Sequence, residues 1–208
     1  MLDEAVESYK KSISLKPDYV EAYSNMGVAL KNQGKLDESI EAYKKSISLK
    51  PDYADAYNNM GVTLKDQGKL DEAIEAYRET ISLKHDHAEA YDNMGMALKN
   101  QGKLDEAIEA HKKSILLKPF HAEAYNNLGN TLKEQGRLDQ ALENYNKAIS
   151  LKPDYAEPYN NIGLVLHYLD KSYEAIETFN KSISLKPDFA EAHYNLSLTL
   201  LNSGRLKE

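Results

Sequence analysis

Residues 54–87 read ADAYNNMGVTLKDQGKLDEAIEAYRETISLKHDH, and the chain writes this pattern repeatedly. The same opening recurs at Val20, Ala54, Ala88, Ala122, Ala156 and Ala190, a fixed step of 34 residues. Self-similarity at such a period marks a repeat architecture, in which each unit buries its apolar face against its neighbours. Five complete copies occupy 20–53, 54–87, 88–121, 122–155 and 156–189. A half repeat, 2–19, precedes them and a half repeat, 190–208, follows, so residues 1–208 read as one array.

Each copy predicts two helices. In the copy at 20–53, Tyr23, Met26, Gly27 and Leu30 fall at i, i+3, i+4 and i+7, which makes one face. Leu36, Ser39, Ile40, Tyr43 and Ile47 form the corresponding face of the second helix. Asp18, three residues before Glu21, reads as a capping box, and Gly34 as the left-handed residue that ends the first helix. Pro51 stops the second helix. The recurring Gly27, Gly61, Gly95, Gly129 and Gly163 sit inside first helices, where glycine costs roughly 1 kcal/mol against alanine. A compensating gain is required, and close approach of the paired helices supplies one.

Composition removes several function classes. A chain of 208 residues that is 41% hydrophobic holds enough apolar material for a sizeable core. No run approaches the ~18 apolar residues of a membrane span, and no signal peptide is visible at the start. The absence of cysteine removes thiolate catalysis and cysteine–metal sites and is compatible with a cytoplasmic location, which is the expectation. The net charge of -7 argues against nucleic acid as the main partner, because phosphate binding needs a basic stripe.

The residues Tyr57, Met60-Gly61, Leu64, Ala73, Tyr77 and Thr80, with proline in most copies where His85 stands, resemble the tetratricopeptide repeat. The resemblance covers the whole chain. It implies an all-α fold, a right-handed α-solenoid of antiparallel helix pairs whose first helices line a concave groove for a peptide or protein segment. A subclass of the family clamps acidic C-terminal tails with lysines; here Ser24, Asn58 and Asp92 stand in those places, so that activity is not expected.

Helical geometry picks out the surface left over. If Tyr57, Met60, Gly61 and Leu64 face inward, the opposite side carries Asn59 and Val62, flanked by Asn58 and Lys65. Across the copies this gives Asn25, Asn59, Asn93, Asn127, Asn161 and Asn195 without exception. The flank gives Asn126 and Asn160 in the place of Asn58. The next row gives Val28, Val62, Met96, Asn130, Leu164 and Leu198, and beside it run Lys31, Lys65, Lys99 and Lys133. A carboxamide offers one acceptor and two donors, so a row of them can hold an extended backbone whatever its side chains. The same row also reads as a bridge between neighbouring repeats. The resemblance is nearest to the superhelical repeat region of O-linked N-acetylglucosamine transferases, where a similar asparagine ladder grips extended peptides.

Other candidates read more plainly as structure. His85, His87 and His121 have metal-ligand chemistry. They nevertheless substitute for the proline and aromatic residues of an inter-repeat turn, and no metal or cofactor is expected. His111 stands in the tyrosine slot of the core and His167 in the lysine row. No serine has a histidine and an acid arranged as a triad, so the expectation is a non-enzymatic scaffold or the substrate-recruiting arm of a larger enzyme. The unpaired first and last helices also predict head-to-tail docking between copies.

Overall fold

The computed structural model describes residues 2–204, and the last four residues of the half repeat 190–208 lie outside the described residues. Those residues form twelve α-helices and no strand. The second helices of the repeats are α1 (Leu2–Leu15), α3 (Leu36–Leu49), α5 (Leu70–Leu83), α7 (Leu104–Leu117), α9 (Leu138–Leu151) and α11 (Ser172–Leu185). The first helices are α2 (Val20–Asn32), α4 (Ala54–Asp66), α6 (Ala88–Asn100), α8 (Ala122–Glu134), α10 (Ala156–Tyr168) and α12 (Ala190–Asn202). They group into two compact units, one ending at Glu106 and the other starting at Ala107, inside the first turn of α7.

The turn within each pair follows from glycine. Gly68 has φ +77°, its N–H donates to Lys65 O, and the Lys69 N–H reaches back to Leu64 O, which is the Schellman closure. Three residues therefore reverse the chain, and the two helices of a pair run antiparallel. At the equivalent place in the copy at 156–189, Asp170 takes the left-handed conformation at φ 58°, which aspartate tolerates better than most residues.

The capping box expected at Asp18 does not form. The N-cap of α2 is Tyr19, and no side chain caps it. The backbone closes the turn instead, with Tyr19 N–H donating to Lys16 O (3.1 Å), while the Lys16 ammonium stands 4.9 Å above the Tyr19 ring. One helix is side-chain capped in a different way: His87 Nδ1 accepts from Ala90 N–H at 3.1 Å and starts α6. Phe120, where the other copies have aspartate, thus removes no cap, and the N-cap of α8, His121, makes no side-chain cap bond, like that of α2.

The glycines inside first helices are explained by the partner helix. A Cβ on Gly61 would lie 2.7 Å from Tyr77 Cε1, one on Gly129 2.5 Å from Tyr145 Cε1, and one on Gly163 2.6 Å from Phe179 Cε1. The aromatic ring of the second helix is pressed onto the backbone of the first, and the ring's buried area repays the glycine. Around this contact the core of the second unit gathers Ile108, Leu128, Leu132, Ala141, Ile162 and Val165. The first helices also bury a column that the amphipathic reading leaves out, Ala22, Ala56, Ala90, Ala124 and Ala192, with Pro158 in the same slot of α10. His111 is fully buried in the tyrosine slot, as its position predicts.

Candidate functional site

Within each unit the first helices touch one another: α2 with α4 and α4 with α6, then α8 with α10 and α10 with α12. Second helices in the same unit, such as α3 and α5, touch only first helices among the described residues. The first helices therefore form the inner row of each unit, and the asparagines of the column stand on these helices.

The structure places the six asparagines in unequal surroundings. Asn25 is exposed, and Asn59, Asn93 and Asn127 are half-buried, whereas Asn161 and Asn195 are each 9% exposed. A bridge between neighbouring repeats holds the two deepest asparagines and, at a longer distance, Asn93. Asn195 Nδ2 donates to Asn160 Oδ1 at 3.0 Å, and Asn161 Nδ2 to Asn126 Oδ1 at 3.0 Å. Asn93 Nδ2 reaches Asn58 Oδ1 at 3.3 Å. In all three the partners are 35 positions apart, one repeat plus one residue. Asn58, Asn126 and Asn160, identified from sequence as flank, are thus the acceptors of a zipper. The signal that finds them is a polar residue immediately before each column asparagine.

The slot 35 positions before Asn59 holds Ser24, which is buried at 3% exposure and carries a hydroxyl in place of the carboxamide. Among the described residues Asn59 makes no side-chain hydrogen bond; only its backbone carbonyl is used, accepting from Thr63 Oγ1 at 3.0 Å. The apolar row is half-buried at Val62, Met96 and Leu164 and more open at Val28 and Leu198. Asn130, alone among that row in being polar, accepts from Tyr145 Oη at 2.9 Å and so belongs to the core network of its own helix pair.

Charges along the face are partly neutralised. Lys31 Nζ stands 3.4 Å from Asp66 Oδ2, across the α2–α4 contact. Lys65, Lys99 and Lys133 are half-buried. At the lysine position of α10, His167 Nδ1 lies 3.0 Å from Thr199 Oγ1. That hydroxyl gives its proton to Asn195 O (2.8 Å) and is left to accept from His167. In the first turns of α8 and α10, Glu123 pairs with Lys152 at 3.0 Å and Glu157 with Lys186 at 3.2 Å. His87 Nε2 is 3.4 Å from Asp55 Oδ1, and among the described residues no cluster of His, Asp and Glu has the make-up of a metal site.

A second set of clips holds the turns. Gln67 Nε2 donates to Asp37 Oδ1 at 2.9 Å, and Gln33 and Gln101 do the same to Asp3 and Asp71. In the copy at 156–189 this glutamine is Leu169, and exposed Tyr168 and Tyr173 flank it.

Comparison with known proteins adds family and fold. Family profiles described as TPR repeat match residues 2–34, 29–68 and 129–170. Profiles described as tetratricopeptide repeat match 52–118, 112–143 and 156–189. Among solved structures, the crystal structure of MamA is 31% identical with a TM-score of 0.69, over 80% of this chain and 97% of that one. YrrB, described as a TPR protein with an unusual peptide-binding site, is 22% identical with a TM-score of 0.67, over 91% of this chain and 97% of that one. A chain of the Cut9–Hcn1 hetero-tetramer of APC/C matches at 22% identity and a TM-score of 0.82, over 96% of this chain and 40% of its own length. No curated protein sequence gives a significant match.

Proposed function

The chain belongs to the tetratricopeptide-repeat family of protein-interaction repeats, and from that premise we propose that it is a non-enzymatic scaffold holding an extended peptide or protein segment. The segment lies along the inner face of the first helices. One observation supports the reading: a carboxamide recurs at the same position of every first helix, beside an apolar row and a lysine row. Carboxamides pair with peptide units in both directions, and the apolar row supplies contact area. Neither nucleic acid nor a membrane is part of this reading, and no helix among the described residues is long and apolar enough to cross a bilayer. The finer likeness to the arm of O-linked N-acetylglucosamine transferases rests on the asparagine column alone.

The test is an array of immobilised peptides probed with the wild-type chain and with a variant carrying Asn25→Ala, Asn59→Ala, Asn93→Ala and Asn127→Ala. Retention of peptides by the wild type and their loss in the variant is the expected result. Equal retention by both moves the site elsewhere.

A second reading concerns copies of the chain. Tyr194, Leu198 and Leu201 make an exposed apolar stripe on α12 at i, i+4 and i+7, and α1 exposes Leu2 and Leu15. We propose that these faces dock head to tail through Tyr194, which is exposed in the slot that Ser24, Asn126 and Asn160 bury within the array.

A further inference from the structure

We infer that the asparagine column is divided between two tasks, and that the residue 35 positions earlier decides which task each asparagine performs. This inference rests on the peptide-scaffold reading above. Asn161 and Asn195 are structural: each spends an amide proton on the preceding repeat and is nearly closed off from solvent. Asn59 is the ligand-holding amide. Its zipper slot contains Ser24, whose short side chain leaves both amide protons and the carbonyl oxygen of Asn59 without a partner among the described residues. Asn93 stands between the two classes, because its bridge is longer at 3.3 Å.

The neighbourhood of Asn59 fits the same assignment. Val62 lies one helical turn along and remains half-open, as does Lys65 beyond it, while exposed Asn25 continues the column on the adjacent helix. In the second unit the corresponding groups are already committed: Asn130 accepts from Tyr145, and His167 is tied to Thr199. A bound backbone gains most from groups that are not already hydrogen-bonded, because displacing an intact bond returns little net free energy. The α2–α4 face is therefore where an extended segment is anchored by its peptide groups. The Asn161 and Asn195 stretch fixes the spacing of the repeats.

The slot predicts a gain as well as a loss. Asn58, Asn126 and Asn160 show that the position accommodates asparagine, so Ser24→Asn places an acceptor opposite Asn59 and closes the zipper there. The probe is the peptide most strongly retained on the array, made free and fluorescent, and read by anisotropy well below the thermal midpoint.

Asn59→Ala is expected to weaken this peptide roughly tenfold, the value of one good hydrogen bond, with the thermal midpoint unchanged. Ser24→Asn is expected to weaken it similarly while raising the midpoint. Asn161→Ala and Asn195→Ala are expected to lower the midpoint and leave the affinity within about twofold. If Asn161→Ala or Asn195→Ala weakens binding as much as Asn59→Ala does, or if Ser24→Asn leaves both readings unchanged, the division is overturned and the scaffold reading survives. If no peptide is retained by the wild type, both fall together.

Discussion

The hydroxyl of Tyr77 is buried with no hydrogen-bond partner among the described residues, whereas the same hydroxyl in Tyr145 donates to Asn130. The residue facing Tyr77 in the Asn130 position is Val62, which has no acceptor. An orphaned buried polar group costs about 1–3 kcal/mol. Val62→Asn should recover about 1 kcal/mol and raise the thermal midpoint by roughly 2–4 °C, measured by calorimetry. A midpoint that stays level or drops means the new carboxamide does not reach the hydroxyl. Burial has a second consequence for these phenols. It raises Tyr43 from the ordinary value of 10.0 to about 12, and it raises Tyr77 and Tyr145 as well. The folded chain holds these protons more tightly than the unfolded chain. The resulting stability is complete below pH 10 and is lost as pH climbs through about 12, by on the order of 2–3 kcal/mol for Tyr43. Chemical denaturation at a series of pH values from neutral into this window should show the decline, and a flat profile would contradict the raised phenols.

Pairs of helices are governed by the glycine contact. Placing a methyl group on Gly129 puts it 2.5 Å from Tyr145 Cε1, and the ring is pinned at its far end by the bond to Asn130. Alanine gains about 1 kcal/mol of helix propensity, but overpacking a fixed ring costs about 1–3 kcal/mol. Gly129→Ala is therefore expected to destabilise by on the order of 1 kcal/mol in urea unfolding. Stabilisation would show that the ring can move aside. At this scale much was legible from residues alone: the period, the helix pairs, the left-handed glycine at Gly68 and the reason for a helical glycine. The caps were not. Asp18 carries a capping spacing, yet the chain turns one residue later and Tyr19 takes the cap position, because the lysine–aromatic stack and the backbone bond from Tyr19 to Lys16 fix the entry.

The chain is a series of similar helix pairs, and α12 and α1 leave apolar side chains exposed. With Tyr194, Leu198 and Leu201 exposed on α12, the chain is expected to associate as concentration rises. Static light scattering should then report a growing mass, and Leu198→Glu with Leu201→Glu should suppress it. A constant monomer mass in the wild type removes head-to-tail docking. The net charge of -7 sets a mild repulsion against this association, so added salt should favour it.

Period and side-chain type determined the hairpins, the inward faces and the existence of an asparagine column, because helix periodicity is a local property that every copy states for itself. Which carboxamides remain free was decided only by tertiary packing. Asn59 and Asn195 occupy the same place in their repeats and differ because Ser24 stands opposite one and Asn160 opposite the other. A hydrogen bond forms only when a neighbouring helix sets donor and acceptor about 3 Å apart, and that distance is a property of two helices together, which no single repeat encodes.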